Sequence, residues 1–300
     1  MSRGLAVVSG SDSVYFPLLQ GALRSVGDLR LDYDIAPFAF DAGMTGDQRK
    51  WLEGRGVEIL RPHRPFAREV PGFVAMLASR PRLPELIPGY EAYLWIDADA
   101  WVQTDSGVSD YRDGALASGF CVTPESHPSY NERELAAAHR RIRGWFGPET
   151  VAALEGTAPI NLGVFCGRAD APHWARWRDR VDAWLAAPTT PEADFNADQT
   201  AFNMVVYADK LETVRLPALY NWICHTAPPM ATDDGRTLLE PVAPYRPLHV
   251  VHMTLWTKKG AMELKTRSGG RVTRPLTYRG ETLPDGGAAL PDFALKDLNA

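Results

Sequence analysis

Cysteine is scarce in this chain. Cys121, Cys166 and Cys224 are odd in number and widely spaced, which argues against a disulfide framework and suits a reducing compartment. No C-x-x-C pair and no Cys/His metal spacing occurs. Long apolar runs are missing too: none approaches the roughly 20 residues of a membrane-spanning helix. Residues 1–20 lack the basic start and continuous apolar core of a signal peptide. Nor is there a surplus of positive charge. Lys and Arg number 32 against 37 Asp and Glu, a net charge of -5, so nothing pulls the chain toward nucleic acid. No repeat is visible. These absences lead us to expect a cytoplasmic protein without a transmembrane segment. Its 45% hydrophobic content over 300 residues is enough for a sizeable core.

What is present alternates between strand and helix patterns. Strands are expected around Leu5–Val8, through "YDIAPFAFD" to Asp41, over 57–61, into Asp97, in "GFCVTPE" and in "PINLGVFCG". Between them, Thr45 and Gln48 fit a capping box for a helix through Trp51 and Leu52. A helix over 68–79 is expected to stop at Pro81, and further helices cover "ERELAAAHRRIRGWF", "PHWARWRDRVDAWLAA" and 197–208. Trp174, Trp177 and Trp184 share one helical face and read as core. Arg140, Arg141 and Arg143 read as a solvated face, and Cys121 and Cys166 as small strand hydrophobes. The alternation predicts an α/β Rossmann-like sandwich, a central and mostly parallel sheet flanked by helices. After about residue 260 the texture turns basic, Gly-rich and loop-like. We therefore expect one domain over 1–259 and a C-terminal extension over 260–300, packed on it or flexible.

The chemistry begins at "YLWIDADAWV", residues 93–102. An apolar run of strand character leads straight into Asp97 and Asp99. In a strand these alternate residues share a face, and in α/β folds ligands gather outside the carboxyl ends of strands. Two acids there need a hydrogen bond, an ion pair or a cation. An Asp capping a turn beside a solvated neighbour would account for the same residues. The paired acids repel, so neutralising either is expected to stabilise the metal-free protein slightly.

Other stretches keep this pair company. "SDSVY" places Asp12 and Tyr15 after the first strand, "INLGVF" carries Asn161 and Gly163, and "ADQTAFN" carries Asp198, Gln199 and Asn203. "LPALYN" ends in Asn221, and "HVVHMTLWTKKG" has His252 with Lys258 six positions on. His252 alone would suit a buried histidine. His249 reads as structural.

In their order, D-x-x-Y, an Arg before the apolar strand, D-x-D, N-x-G, D-Q-x-x-x-N, L-P-x-x-Y-N and H-x5-K, these runs resemble glycosyltransferase family eight. That group includes glycogenin and the lipopolysaccharide galactosyltransferases. The likeness spans Asp12 to Lys258. It departs at the end, where Leu255 stands for a Gly and Lys259-Gly260 for Pro-Trp, which puts the diphosphate loop in question because Leu adopts positive φ at a cost.

The resemblance implies a GT-A fold and retaining transfer of a sugar from a nucleotide donor, expected to be a UDP-sugar, to a hydroxyl acceptor. It implies manganese, with magnesium as an alternative, held by Asp97, Asp99 and His252. It places Asp12, Tyr15, Arg80, Ala98, Asn161, Gly163, Asp198, Gln199 and Lys258 around the donor. Arg82 lies near enough to replace Arg80. Gln199 and Asp198 are the catalytic candidates: glutamine is a poor nucleophile, which favours front-face attack, and a covalent route through Asp198 stays open. Two rivals remain. One is D-x-D phosphoryl transfer of the haloacid-dehalogenase type, where Trp101 would replace the usual Thr or Val. The other is a non-catalytic protein that binds a sugar nucleotide.

Overall fold

The computed structural model describes residues 3–64, 69–187 and 190–284; residue 68, the expected start of one helix, and 285–300 of the extension lie outside these. The first half runs β1 (Arg3–Ser11), α1 (Phe16–Gly27), β2 (Ile35–Asp41), α2 (Gly46–Glu53), β3 (Glu58–Leu60), α3 (Gly72–Ser79), α4 (Leu83–Leu86), β4 (Tyr90–Ile96), β5 (Ala100–Val102), α5 (Ser106–Ser118) and β6 (Phe120–Pro124). Then come α6 (Glu132–Gly144), α7 (Pro148–Ala153), β7 (Ile160–Arg168), α8 (His173–Ala186), α9 (Pro191–Tyr207) and β8 (Val214–Arg215). Short strands follow: β9 (Trp222–Ile223), β10 (Met230–Ala231), β11 (Leu238–Leu239), β12 (Val250–His252), β13 (Ala261–Lys265) and β14 (Arg271–Pro275).

Local chemistry sets several boundaries. The Thr45–Gln48 capping box starts α2. Thr190 caps α9 by accepting from Ala193 N, with Pro191 in its first turn, so this helix begins well before the expected residue 197. α3 ends at Ser79, ahead of Pro81, as expected. The chain passes through a 3-10 turn over Arg80–Arg82 into α4, because a proline in the first turn of a helix costs no hydrogen bond.

Seven strands form the main sheet in the order β3-β2-β1-β4-β7-β6-β8. All neighbours are parallel except β7, which runs antiparallel to β4 and to β6. Alternation along β4 feeds two cores. Tyr93 and Trp95 face Phe120, Phe165, Trp174, Trp177 and Phe202 on one side. Leu94 and Ile96 face Leu5, Val7, Tyr111 and Val164 on the other. The tryptophan stripe of α8 is therefore core, as its spacing implied, and Cys121 and Cys166 are buried among hydrophobes. Arg143 departs from the solvated face expected of it. It is buried, and its guanidinium donates to Leu154 O at 2.6 Å, tying α6 to the end of α7.

Two topological facts position the site. Because β7 is antiparallel, its first residues lie beside the last of β4, and Asp97 N donates to Gly163 O at 2.7 Å. A small sheet, β5-β12-β9, stands beyond the main sheet and sets His252 opposite Ala100. The C-terminal segment adds a hairpin, β13–β14, whose Leu264 joins Leu276 and Trp101 in a buried cluster. Trp101 Nε1 donates to Leu276 O at 2.8 Å, and Arg24 pairs with Glu281.

One core residue makes stability pH-dependent. His173 stacks on Phe120 with ring centres 4.8 Å apart, and burial lowers its pKa to about 4. Between about pH 6.5 and 4 the unfolded chain binds a proton here that the folded chain refuses, so stability falls with pH. From pH 7 to pH 5 we expect this residue alone to cost about 2 kcal/mol. Urea denaturation at both values checks this: His173→Leu should flatten the dependence, and an unchanged slope would refute it.

Candidate active site

A cleft of about 330 Å³ opens outside the carboxyl ends of β1 and β4, the usual ligand position in such sheets. Asp12, Tyr15, Arg80, Asp97, Ala98, Asp99, Asn161, Asp198, Gln199, His252 and Lys258 all line it. Gly163 does not line it but stands behind it. A Cβ on Gly163 would lie 2.2 Å from His252 Cε1, so only glycine lets the imidazole approach β7.

Asp97 and Asp99 are not strand residues. They sit in the tight turn between β4 and β5, and that turn, not strand alternation, brings their carboxylates together. With His252 they form the one group of three metal-competent side chains found among the described residues, the nearest ligand atoms within 4.8 Å of one another. His252 Nε2 lies 3.3 Å from Asp99 Oδ1 and 3.9 Å from Asp97 Oδ2. Burial disfavours a charged imidazole, yet Asp99 and Asp97 hold the His252 pKa above its usual value. They would draw any cation to the same lone pair.

A chain of side-chain amides prepares that lone pair. Asn161 Nδ2 donates to the Glu125 carboxylate at 2.9 Å, and Asn161 Oδ1 accepts from Asn221 Nδ2 at 3.1 Å. Asn221 Oδ1 must then accept, so His252 Nδ1 donates to it across 2.9 Å. A cation that displaces the proton from Nε2 would then find this lone pair already aimed at it. Sequence reasoning noted Asn221 without a role and missed Glu125, for which "GFCVTPE" offers no signal. Two carboxylates and one oriented imidazole make a donor set that suits manganese better than calcium.

The cations differ in how they are held. Arg80 is buried and donates through Nε to Asp198 Oδ2 at 2.6 Å and through NH1 to Leu162 O at 2.9 Å, with Asp97 3.6 Å away. Arg82 points away instead, to Asp182. Burial raises the pKa of Asp198 although Arg80 opposes it. Asp198 Oδ1 accepts from Gln199 N, and Gln199 Oε1 accepts from Leu162 N at 3.1 Å. Asn203 clamps Ile160 through both backbone groups, a structural role. Among the described residues the Lys258 ammonium is held by Asp99 and Tyr15.

The remaining residues divide. Asp12 Oδ1 accepts from Val14 N and Tyr15 N, so half its carboxylate is spent shaping the turn. His249 bonds to Thr104 and stacks on Tyr220, outside the metal group. His225 lines the cleft unforeseen, its pKa lowered by burial to about 4. Phe73, Met76, Leu77 and Phe195 give the cleft an apolar wall. Leu255 does take the left-handed conformation, at φ 52°, despite its Cβ. The 3-10 turn Leu255–Lys258 thus keeps a backbone that glycine would adopt freely.

No family model and no curated protein matches the chain. Solved structures do. A galactosyltransferase, LgtC, in complex with donor and acceptor sugar analogs, is similar over 97% of this chain and 99% of its own, at 16% identity and TM-score 0.55. The bifunctional glycosyltransferase WbbM is similar over 73% of this chain at 12% identity and TM-score 0.51, and the match spans only 40% of its length. Among the described residues no helix is long and apolar enough to cross a membrane. The chain has the GT-A fold of these glycosyltransferases, a mostly parallel seven-stranded sheet between helices, with the D-x-D turn at its carboxyl edge.

Proposed function

We propose that this protein is a metal-dependent retaining glycosyltransferase that takes a sugar from a UDP-sugar to a hydroxyl acceptor. The observation that carries this reading is the convergence of Asp97, Asp99 and an oriented His252 in one cleft with Lys258. Those three residues would hold manganese, or magnesium in its place. Such an ion, when bound, supplies Lewis-acid stabilisation to a leaving diphosphate.

The chain's own groups account for the rest. Lys258 brings a compact positive charge for phosphate oxygens, and Tyr15 offers a ring face and Asp12 one oxygen to the nucleoside. Arg80, Asp198 and Gln199 would border the sugar's place, with Ala98 and Asn161 beside it and Gly163 behind the cleft wall, where it admits His252. Asp198 is engaged by Arg80 and the Gln199 amide, and Gln199 is no nucleophile. Both facts favour front-face attack, in which a departing phosphate oxygen takes the acceptor's proton. Phosphoryl transfer of the haloacid-dehalogenase type fits less well, because Trp101, where that chemistry has a Thr or Val, is buried beneath the C-terminal hairpin. We read 1–259 as the catalytic unit and 260–300 as its extension.

Release of nucleotide from a panel of sugar donors, with and without acceptors, separates transfer from mere binding. UDP is expected to bind more tightly than GDP or ADP in manganese by calorimetry. A preference for a purine diphosphate would sink the uridine assignment.

A further inference from the structure

Lys258 is placed oddly for a residue that waits for phosphate. Its side chain is 7% exposed, and its ammonium lies 2.5 Å from Asp99 Oδ2 and donates to the Tyr15 hydroxyl at 3.1 Å. It also sits 4.6 Å from the centre of the Tyr15 ring, a second attraction for the same charge. The other Asp99 oxygen, Oδ1, faces His252 Nε2. One carboxylate is shared between an ammonium on one side and the metal group on the other.

We propose that Lys258 is an internal counter-ion of the metal site, so that a divalent ion binds weakly by itself and tightly only together with a nucleoside diphosphate. The inference rests on the metal and donor roles proposed above. A dication held by Asp99 would repel the ammonium already paired with the same, largely buried carboxylate. The diphosphate relieves that conflict: its oxygens offer the ammonium a new partner and leave Asp99 to the ion.

Arg80 cannot do the same. It is locked between Asp198 and the Leu162 carbonyl, whereas Lys258 is a flexible stem on a short turn and, among the described residues, is held by groups within the cleft. Because binding couplings are reciprocal, the ion must then strengthen nucleotide binding by the same factor that the nucleotide strengthens ion binding.

Manganese binding to the full chain, read by calorimetry or by the spin resonance of free ion, tests this with and without UDP. Since UDP can itself ligate manganese, the variants decide. Lys258→Met should bind manganese alone about tenfold more tightly than the parent, and the gain on adding UDP should shrink by a similar factor. Tyr15→Phe keeps the ring but drops the hydroxyl that shares the ammonium. It should leave Lys258 more firmly on Asp99, weakening binding of manganese alone. Equal affinity of parent and Lys258→Met for manganese alone overturns the proposal while the metal site stands. No manganese bound by any form, even with UDP, removes the metal reading and this inference together. If Lys258→Met does not fold, Lys258→Gln takes its place under the same criteria.

Discussion

Replacing Asp99 with asparagine is expected to lower sugar transfer at least about 100-fold, the scale of losing a main electrostatic contact in a transition state (~3 kcal/mol). The same change should destabilise the protein, against the expectation from charge repulsion between Asp97 and Asp99. Asp99 pairs with buried Lys258 and with His252, so removing its charge strands an ammonium. Burial pushes the Asp99 pKa up, but Lys258 and His252 more than offset this and hold it well below the carboxylate range. A depressed acid contributes stability that is fully present above its unfolded pKa, near 4, and is lost as pH falls through the folded value.

Asp97 has the opposite sign. Burial raises its pKa, Arg80 counters, and Asp99 adds to the rise. Its charge opposes folding above the ordinary carboxylate pKa, so Asp97→Asn should be neutral or slightly stabilising while still losing transfer. Urea unfolding of the two variants, with turnover, checks both statements. Full turnover in folded, metal-stripped Asp99→Asn would falsify the metal role.

Arg80→Met should give the largest loss of stability, about 3–5 kcal/mol. The Arg80 and Asp198 side chains are 4% and 3% exposed, so the variant leaves a buried carboxylate without its cation. Adding Asp198→Leu should recover most of that loss, because an apolar pair replaces a buried ion pair at little cost. Transfer should stay abolished in both variants. A double mutant no more stable than Arg80→Met would show that the guanidinium's bond to the Leu162 carbonyl, not its charge, holds α3 to β7.

Much of the fold was legible because its signals are local. The capping box at Thr45, the stripe of α8 and the apolar run into Asp97 each lie within one element. The site was legible as residue types in order, since carboxylates, an imidazole and a lysine carry their chemistry wherever the chain puts them. What could not be read was which groups hold which. Asn221 and Asn161 are 60 residues apart in sequence, and their bond depends on β7 running antiparallel. Glu125 joins them from the end of β6, and Arg143 leaves an apparently solvated face because α7 folds back beneath it. Those partnerships are made by tertiary contact, to which local periodicity is blind.

Leu255 bears on timing. The turn that presents Lys258 begins at this residue, held at φ 52° with a side chain that resists it, and a left-handed residue of this kind carries of order 1–2 kcal/mol. Whatever of that energy is stored while the turn is in place is returned when it lets go, which is worth about tenfold in how often it does so. A glycine would make the turn a resting latch. Leucine makes it a strained one, so on the function proposed above Leu255→Gly is expected to hold nucleotide up to about tenfold more firmly, and unchanged nucleotide affinity would show that the strain is not spent there.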